Sequence, residues 1–252
     1  MIKEGIKMLN QDKSAAKNYS ATQNNQNQPE ITILIPAYNE AERIGEVLNV
    51  VTAFPAERIV VIDDGSSDGT SEKAAHYPVD VLTHKENRGK GAALQTGIDY
   101  IQQSPYWIFL DADLINLTVD HIHALVAPIT NDDQAQMTVG MFTAGGKLHV
   151  DLAQRFFGIL NGQRAFSQAF ISQLPLLTQA RFGVEIFLSR YARCLDAKVA
   201  FPVMEGVTQW TKEEKFGFFS GFTYRLVMYR ECLYMLFFWR RFLTRALAGL
   251  EK

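Results

Sequence analysis

Cysteine is scarce in this chain, long apolar runs are missing, and the charges nearly cancel. The two cysteines, Cys194 and Cys232, lie in separate segments of helical pattern, and neither belongs to a CxxC pair. They predict free thiols in a reducing compartment and exclude a disulfide framework. The formal net charge of -2 gives no basic field that would attract a nucleic acid, so we expect no nucleic-acid partner.

Membrane-spanning and targeting patterns are also missing. The most apolar run, residues 233–239, is far shorter than the roughly 20 residues that a helix needs to cross a bilayer. Residues 1–10 lack the apolar stretch and the cleavage site of a secretory signal. The five histidines form no HxxxH or HExxH cluster, so we interpret them as structural or surface residues. We therefore expect a cytoplasmic protein. A contact with the inner face of the membrane would depend on its carboxy-terminal segment, which is described below.

Composition divides the chain into three segments. Residues 1–29 are polar and end in QNNQNQP, which predicts a disordered tail because such a tract buries too little apolar surface to offset its ordering entropy. Residues 30–215 form the predicted folded domain. Residues 216–252 combine aromatic and basic side chains in a helical pattern, and they form a predicted carboxy-terminal extension.

The folded domain opens with four short apolar runs, each of which predicts a buried strand. The runs are residues 31–35, 59–62, 79–82 and 107–110. Helical patterns separate them, and the first would start with a capping box formed by Asn39 and Glu42; the next two cover about 67–77 and 91–103. This alternation predicts an α/β fold with a Rossmann-like, mixed but mainly parallel sheet flanked by helices. Ligands of such sheets bind at the carboxyl ends of the strands.

The pattern after residue 115 is less regular. It predicts helices near 119–126, within 151–173 and over 184–195, strands near 137–142 and 199–203, and one or two helices over 221–247. We find no internal repeat, which argues against a solenoid or a propeller.

Acidic residues follow two of the predicted strands. In Asp111-Ala112-Asp113, the two carboxylates would face the same side of an extended strand. Neighbouring carboxylates repel each other unless a cation or a proton lies between them. Mg²⁺ and Mn²⁺ bind one or two protein carboxylates and complete their shell with phosphate oxygens and water. The pattern therefore predicts a metal site for a diphosphate; the alternative is a solvated turn.

A second acidic pair, Asp63-Asp64, precedes Gly65 at the end of another predicted strand. Carboxylates in this place are suited to accept hydrogen bonds from a uracil N–H or a ribose hydroxyl. The alternative is a tight turn in which Ser67 or Asp68 caps the next helix.

A basic, glycine-rich loop, residues 88–91, precedes the third helical pattern. Glycine lets a backbone approach a ligand closely, and a helix N-terminus together with Lys90 favours a phosphate group. Gly91 stands where a P-loop needs Ser or Thr, and Leu94 stands where the dinucleotide fingerprint needs its last Gly. The loop is therefore suited to an anion but lacks the signature of an ATPase or a dehydrogenase.

Four of these segments, taken in order, resemble the family 2 glycosyltransferases. They are ITILIPAYNE (31–40), VVIDDGSSDGT (60–70), NRGKGAALQTG (87–97) and FLDADL (109–114). The resemblance implies a GT-A fold, a nucleotide-diphosphate-sugar donor and Mg²⁺ or Mn²⁺. The residues that would bind the nucleotide sugar are Pro36, Ala37, Tyr38, Glu40, Asp63, Asp64, Gly65, Lys90, Asp111, Ala112 and Asp113. Of these, Asp111 and Asp113 would hold the ribose and the metal, and Asp113 would be catalytic.

The second half resembles the family less closely. Residues 183–186 (GVEI) are similar to a segment of the glucosyl-3-phosphoglycerate synthases in which a Glu at a helix start reaches the sugar or the acceptor. Glu185 is therefore the candidate general base, with a surface glutamate as the alternative. By the same resemblance residues 161–164 form an acceptor-side loop in which Arg164 suits a phosphate or carboxylate. The alternative is a helix break with a surface arginine.

Related transferases also carry a His near residues 206–209 that completes the metal shell. Gln209 takes that place here. An amide oxygen can bind Mg²⁺ but is a poorer ligand than imidazole for a transition metal. This departure favours Mg²⁺ over Mn²⁺, with Asp111, Asp113 and Gln209 as the candidate protein ligands.

The carboxy-terminal stretch combines aromatic side chains with arginines between residues 218 and 245. On a helix this composition suits a peripheral contact with a membrane surface, and a membrane-associated acceptor such as a polyprenyl phosphate would fit it. The alternative is a helix packed on the core, with its arginines extended to solvent.

These patterns together predict a metal-dependent enzyme that moves a hexose from a UDP- or GDP-sugar to a lipid phosphate or a small hydroxyl acceptor. In this it would resemble the polyprenyl-phosphate sugar transferases as well as the glucosyl-3-phosphoglycerate synthases. A nucleotidyltransferase is one alternative, although residues 35–40 lack the glycine-rich basic loop that it needs. A non-catalytic nucleotide-sugar-binding scaffold at a membrane surface is the other, and the intact acidic pairs argue against it.

Overall fold

The computed structural model of the protein describes residues 29–131, 134–143, 161–210, 230–231 and 233–244. Residues 1–28 of the predicted polar tail lie outside the described residues. So do residues 151–160 of the predicted helical stretch, and residues 216–229 and 245–252 of the predicted extension. The three-segment division of the chain stays a prediction.

Eleven strands are present in the described residues. They are β1 (Ile31–Ala37), β2 (Arg58–Asp63), β3 (Asp80–Thr83), β4 (Tyr106–Phe109), β5 (Leu114–Ile115), β6 (Met137–Val139), β7 (Met141–Thr143), β8 (Arg164–Ser167), β9 (Val199–Ala200), β10 (Val203–Glu205) and β11 (Thr208–Gln209). The α-helices are α1 (Ile44–Val51), α2 (Thr70–Ala74), α3 (Lys90–Ile101), α4 (Val119–Thr130), α5 (Gln168–Ile171) and α6 (Val184–Cys194). Residues 230–231 and 233–244 are also helical and are called the carboxy-terminal helix. None of the helices in the described ranges is long and apolar enough to span a bilayer.

Seven strands form the central sheet in the order β3-β2-β1-β4-β8-β6-β9. Parallel pairing joins β3, β2, β1 and β4, and it also joins β6 to β9. Only β8 is antiparallel to both of its neighbours, β4 and β6. The predicted fold class, a mixed and mainly parallel sheet flanked by helices, is confirmed.

Alternating side chains give the sheet two apolar faces. Leu34 and Ile62 belong to one buried cluster, which α3, α6 and the carboxy-terminal helix cover. Ile33 and Val61 belong to a second cluster on the opposite face, which α1 and α4 cover. The predicted apolar stripe of α1 is confirmed, because its four members are fully buried: Ile44, Val47, Leu48 and Val51. Helices on both faces leave the strand ends as the place where a ligand can bind.

The predicted cap at Asn39 is wrong. Helix α1 begins only at Ile44, and no side chain caps it. Asn39 has a positive φ of 55°, a conformation that Asn adopts more readily than most residues. Its Oδ1 accepts a hydrogen bond from Ser67 N at 3.0 Å, and its N donates to Ser66 Oγ at 2.8 Å. The local spacing gave no sign of these partners, which lie about 27 residues further along the chain.

The helix predicted for residues 67–77 is shorter than expected and covers only Thr70–Ala74. Neither Ser67 nor Asp68 caps it, since its N-cap is Gly69 and makes no side-chain capping bond. Asp68 instead accepts hydrogen bonds from Ala41 N and Thr70 N. Hydrogen bonds therefore join the loop after β1 to the serine-rich loop after β2.

The second half of the domain departs further from its local pattern. The strand predicted for 137–142 is broken at Gly140, so that β6 joins the central sheet while β7 pairs with β10. Residues 164–167 form a strand where a helix was predicted, and only the short helix α5 follows. Pairing with β4 and β6 on both sides outweighs the weak helical pattern of this segment.

Candidate functional site

Most of the predicted nucleotide-sugar residues converge on the edge of the sheet where β1, β2 and β4 end. Ala37 pairs with Asp63 in register, so the ends of β1 and β2 are level. Strand β4 ends at Phe109, which pairs with Leu34, and Asp111 follows two residues later. Carboxyl ends of parallel strands are the usual ligand-binding edge of an α/β sheet.

Four of the predicted nucleotide-pocket residues lie at the end of β1: Pro36, Ala37, Tyr38 and Glu40. The backbone N of Glu40 donates a hydrogen bond to Thr70 Oγ1 at 2.8 Å, which ties this loop to α2. The Glu40 carboxylate lies 3.7 Å from the guanidinium of Arg43, which in turn lies over the ring of Trp210 at 5.4 Å. The loop after β1 is therefore joined to the segment that follows β11.

Asp63 and Gly65 build the turn after β2. Asp63 is buried, and its carboxylate accepts hydrogen bonds from Ser66 N at 3.0 Å and from the Ser71 hydroxyl. Gly65 has a φ of 77°, and a Cβ there would lie 2.6 Å from the backbone carbon of Glu86. Only glycine fits such a position. The contacts of Asp63 with a base and of Gly65 with a nucleotide sugar stay predictions.

Asp64 holds the loop that leads to Lys90. Its carboxylate accepts hydrogen bonds from the backbone N of Arg88 at 2.9 Å and of Gly89 at 2.7 Å. His84 Nδ1 lies 2.7 Å from the same carboxylate, and both side chains are buried. Asp64 therefore fixes the backbone immediately before Lys90, while its predicted ribose contact stays untested.

Lys90 is the centre of the site. Its Nζ donates to Asp111 Oδ1 and, at 2.6 Å, to Glu185 Oε1. Burial lowers the pKa of Lys90, but attraction to the two carboxylates outweighs burial and raises the pKa above its ordinary value. The ammonium is thus charged at neutral pH, and it joins a predicted donor residue to a predicted acceptor-side residue. Glu185, at the start of α6, faces Lys90 and is only 8% exposed, so it is not the surface glutamate of the alternative interpretation.

Arg164 lies in the core and not on an exposed loop. It begins β8 and is 1% exposed, so the surface arginine of the alternative interpretation is wrong. Its guanidinium donates hydrogen bonds to the backbone oxygens of Asn161 and Glu185, each at 3.0 Å, and to Ser189 Oγ at 2.9 Å. The predicted contact between Arg164 and an acceptor stays a prediction.

Asp111, Ala112 and Asp113 do not continue β4 as an extended strand, which corrects the predicted geometry. Asp111 follows Leu110 beyond the strand end, and Ala112 and Asp113 lie in the turn to β5. Ala112 is buried, whereas Asp111 and Asp113 are half-buried. The turn after β4, and not an extended strand, therefore places the two carboxylates at the edge of the sheet.

Strand pairing brings Gln209 next to this turn. β11 is antiparallel to β5 with Gln209 opposite Leu114, and the backbone N of Trp210 donates to Asp113 O at 3.4 Å. Carboxylate and amide oxygens are hard ligands of the kind that Mg²⁺ prefers. Across the described ranges, no three His, Cys, Asp or Glu side chains converge as a metal cluster. The fit of a divalent cation therefore depends on carboxylates together with an amide oxygen.

The model of glycosyl transferase family 2 matches residues 32–183, which is more than half of the chain. The chain belongs to glycosyl transferase family 2. The match runs from within β1 to the residue before α6, and so includes Lys90, Asp111 and Asp113.

Curated relatives of this family 2 chain include archaeal and eukaryotic glycosyltransferases. Glycosyltransferase AglJ of Haloferax volcanii is 30% identical over 171 residues, which cover 62% of this chain and 55% of AglJ. A dolichyl-phosphate beta-glucosyltransferase of Dictyostelium discoideum is 32% identical over 100 residues, 33% of this chain and 30% of that protein. The aligned parts thus span about half the length of these relatives or less.

Solved structures confirm the fold. Glucosyl-3-phosphoglycerate synthase from Mycobacterium tuberculosis, in complex with Mn²⁺, UDP and glucosyl-3-phosphoglycerate, has a TM-score of 0.66 at 22% identity and covers 82% of this chain and 78% of its own. The same synthase with Mg²⁺ and UDP has a TM-score of 0.59 at 22% identity, with 81% and 75% of the two chains covered. These likenesses place the family 2 chain in the GT-A fold.

The sequence did not predict the contacts of two residues near the family 2 site. His84, interpreted as a structural or surface residue, is structural: it lies between Asp64 and Thr96, with its Nε2 2.9 Å from Thr96 Oγ1. Within residues 161–164 only Arg164 was predicted to bind a ligand, whereas both the oxygen and the nitrogen of the Gln163 side-chain amide contact Asp111. The sequence gave no signal for the contact of His84, because its partner Asp64 lies 20 residues earlier, just after the end of another strand.

Gly162→Ala is expected to lower the free energy of unfolding by about 1–3 kcal/mol, the usual cost of overpacking a filled site. A Cβ at residue 162 would lie 2.5 Å from both Asp111 Oδ2 and Lys90 Nζ, and further hydrogen bonds hold both groups in place. The measurement is urea unfolding. Gly45→Ala is the matched control, since its Cβ would come no nearer than 3.1 Å to another side chain. Equal stability of Gly162→Ala and the wild type would contradict the close approach of residue 162 to Asp111 and Lys90.

Proposed function

We propose that the protein transfers a hexose from a nucleoside-diphosphate sugar, carrying UDP or GDP, to a lipid phosphate or a small hydroxyl acceptor. The observation that carries this proposal is the contact of Lys90 with both Asp111 and Glu185 at the carboxyl ends of the strands. Membership in glycosyl transferase family 2 supports the same reaction. So do the structurally similar proteins, several of which were solved with bound UDP.

Lys90 supplies a positive charge on the donor side of the site, among the carboxylates that line it. Departure of the nucleoside diphosphate develops negative charge on its phosphate oxygens, and Lys90 is a fixed ammonium at the first residue of α3. The partial positive charge of that helix N-terminus acts in the same direction. These groups would stabilise the leaving diphosphate through position and charge, with no covalent step on the protein.

We propose that a divalent cation, Mg²⁺ or Mn²⁺, binds at the turn that carries Asp113. Asp113 and Gln209 would bind it through their side-chain oxygens, and Asp111 is the third candidate ligand. When bound, such a cation supplies Lewis-acid charge that offsets the charge of the departing diphosphate. Asp113 lies in the turn before β5, and the pairing of β5 with β11 brings Gln209 next to this turn, so we assign the principal ligand role to Asp113.

Gln209→His is expected to shift the metal preference from Mg²⁺ toward Mn²⁺, with the ratio of the two affinities changing about tenfold, because imidazole is the better ligand for a transition metal. The measurement is calorimetric titration of each cation in the presence of UDP. Gln103→His, at an exposed site after α3, is the matched control. An unchanged ratio in Gln209→His would remove residue 209 from the metal shell.

Glu185 is the proposed general base for a hydroxyl acceptor. Its Oε1 lies 2.6 Å from Lys90 Nζ, so the carboxylate would lie close to the phosphates of a donor bound at Lys90. A hydroxyl must lose its proton as it attacks the sugar carbon, and a positioned carboxylate can accept that proton. A phosphate acceptor is already an anion and needs no base. The effect of Glu185→Gln therefore discriminates between the two classes of acceptor.

The carboxy-terminal helix is the proposed membrane contact. One of its sides is fixed to the core through Met235, Trp239 and Leu243, which are buried. The other side presents large apolar side chains: Leu233 (54% exposed), Tyr234 (46%), Phe237 (73%) and Phe238 (43%). A folded protein leaves such a patch uncovered mainly where it meets a partner.

Charge indicates which partner fits this face. Arg230, Arg240 and Arg241 are exposed on the same helix. The acidic residue in its described part is Glu231, and it pairs with Arg181 at 3.1 Å. Apolar and cationic side chains together suit a bilayer of anionic lipids, to which each arginine contributes about 1 kcal/mol. We therefore propose a cytoplasmic protein that docks on the inner face of a membrane, where a lipid phosphate would be presented to it.

Phe237→Ser is expected to weaken binding to anionic vesicles about tenfold, because burial of a phenylalanine contributes about 1.5–3 kcal/mol. The measurement is flotation at low salt with phosphatidylcholine vesicles, with and without phosphatidylglycerol. Phe201→Ser is the matched control, since Phe201 is an exposed phenylalanine (56%) outside the helix. The proposal is wrong if the wild type does not float with phosphatidylglycerol. Loss of a dimer in light scattering of Phe237→Ser would assign the face to a second copy of the chain.

The experiment that tests the proposed reaction is a product assay with Mg²⁺ and a panel of UDP- and GDP-sugars. Each donor is offered with a polyprenyl phosphate or with 3-phosphoglycerate, and the products are separated by mass spectrometry. Release of a nucleoside diphosphate together with a hexosylated acceptor is expected. Formation of a nucleoside triphosphate and a sugar 1-phosphate when pyrophosphate replaces the acceptor would support a nucleotidyltransferase, and binding without turnover would support a scaffold.

A further inference from the structure

The segment at residues 161–164 lies beneath the Lys90 site, and two of its side chains have no role in the function proposed above. Gln163 is fully buried, and Arg164 is 1% exposed. Burying an amide and a guanidinium is costly unless both are hydrogen-bonded. The partners of these two side chains therefore indicate what the segment does.

Gln163 holds Asp111 at two points. Its Oε1 accepts a hydrogen bond from Asp111 N at 2.9 Å, and its Nε2 donates to Asp111 Oδ2 at 2.8 Å. The amide orientation follows from the partners, because a backbone N–H only donates and a carboxylate oxygen only accepts. Both the backbone and the carboxylate of Asp111 are thereby fixed, with Oδ1 directed to Lys90.

Arg164 holds the first turn of α6, which carries Glu185. Its Nη2 donates to Glu185 O at 3.0 Å and to Ser189 Oγ at 2.9 Å, and Ser189 Oγ itself donates to Glu185 O at 2.9 Å. Burial lowers the pKa of Arg164 to about 10, against the attraction of Glu185 and Asp111. The guanidinium is still charged at neutral pH, so it is a fixed cation behind the turn.

Lys90 completes a closed ring of contacts. The ring runs from Gln163 to Asp111, to Lys90, to Glu185 and to Arg164, and the peptide bond between residues 163 and 164 closes it. Two consecutive residues thus hold the Asp111 carboxylate and the backbone oxygen of Glu185, and Lys90 joins the carboxylates of these same two acidic residues. We propose that Gln163 and Arg164 are positioning residues that set the separation of Asp111 and Glu185. Gln163 acts on the donor side of the site and Arg164 on the acceptor side. This assignment of sides rests on the proposed function.

The kinetic test separates the two sides. Gln163→Met keeps the length of the side chain but loses both hydrogen bonds, so donor KM should rise about tenfold while acceptor KM stays within about twofold. Arg164→Lys keeps the charge but cannot reach Glu185 O and Ser189 Oγ together, so kcat should fall about tenfold at unchanged donor KM. The proposal is overturned if both variants change the same constant to the same extent.

A second pair of measurements keeps the proposal testable where Arg164→Lys folds poorly or no donor is turned over. Ser189→Ala removes one partner of Arg164 and should give the same kinetic change in smaller size. Hydrogen exchange should accelerate at the Asp111 amide in Gln163→Met, and over residues 185–189 in Ser189→Ala, relative to the wild type. These two readouts require no activity, so unchanged exchange at both places would overturn the ring even if the proposed reaction also failed.

Discussion

Asp113→Ala is expected to lower the rate of hexose transfer at least about a thousandfold, which corresponds to about 4 kcal/mol of lost transition-state stabilisation. Asp113 lies half-buried in the turn after β4, outside both apolar clusters, and its backbone oxygen accepts the hydrogen bond from Trp210 N. Alanine keeps that backbone contact while it removes the carboxylate that we assign to the cation. The melting temperature should therefore change little. The measurements are steady-state transfer and thermal unfolding of the same preparation.

The matched control for this variant is Glu46→Ala. Glu46 is an exposed carboxylate in the first turn of α1, away from the strand ends. Its removal should leave transfer unchanged within about twofold, as is usual for surface positions. Normal turnover by Asp113→Ala would show that the reaction does not depend on a cation held at residue 113.

Lys90→Met is expected to lower both activity and stability. Transfer should fall at least about a hundredfold, because Lys90 is a fixed charge beside the departing diphosphate. Unfolding free energy should fall by about 2 kcal/mol, because Asp111 and Glu185 lose their shared partner. Removing one partner of a fully buried pair costs about 3–5 kcal/mol, and we discount this value because the Lys90 side chain is 16% exposed.

The pKa of Lys90 sets the pH at which this loss of stability should be measured. A lysine with a raised pKa contributes stability that is fully present below its ordinary pKa of about 10.4 and is lost as the pH rises through the folded value. Urea unfolding at neutral pH therefore shows the whole effect. Lys85→Met, an exposed lysine of the same loop, is the control. If Lys90→Met were as stable as the wild type, the ion pairs of Lys90 with Asp111 and Glu185 would contribute nothing to the free energy of unfolding.

The first half of the fold could be predicted because its local patterns agree with its tertiary contacts. Runs such as 31–35 and 59–62 are rich in β-branched residues and are buried in the structure. A central strand buries both faces of such a run, which a surface helix or a loop would not do. Parallel pairing then places Asp63 and Asp111 at one edge without further assumptions. Lys90 follows from a separate signal, the glycine-rich loop before α3.

The second half could not be predicted in the same way, because its structure depends on distant partners. Residues 164–167 form a strand only because β4 and β6 lie on either side of them. This placement changes Arg164 from a surface residue into the buried cation behind Glu185. The orientation of Asn39 likewise depends on Ser66 and Ser67, which belong to another strand end.

Contacts inside the site were hardest to foresee where the side chain is uncharged or lies outside a motif. Gln163 contacts Asp111 across 52 residues, and no periodicity links the two. His84 contacts Asp64 across 20 residues and carries none of the spacing of a metal ligand. Gln209 was placed by resemblance to relatives, and the pairing of β11 with β5 then brought it next to Asp113.

The central claim is that the edge of the sheet around Lys90 and Asp113 binds a nucleoside diphosphate together with a divalent cation. The most direct test is calorimetric titration of UDP and GDP, with Mg²⁺ and with EDTA, on the wild type, Asp113→Ala and Lys90→Met. The account predicts that one of the two nucleotides binds the wild type in the presence of Mg²⁺. It also predicts that EDTA and each substitution weaken this binding at least about tenfold. Binding that neither EDTA nor either substitution changes, or no binding of either nucleotide, would contradict it.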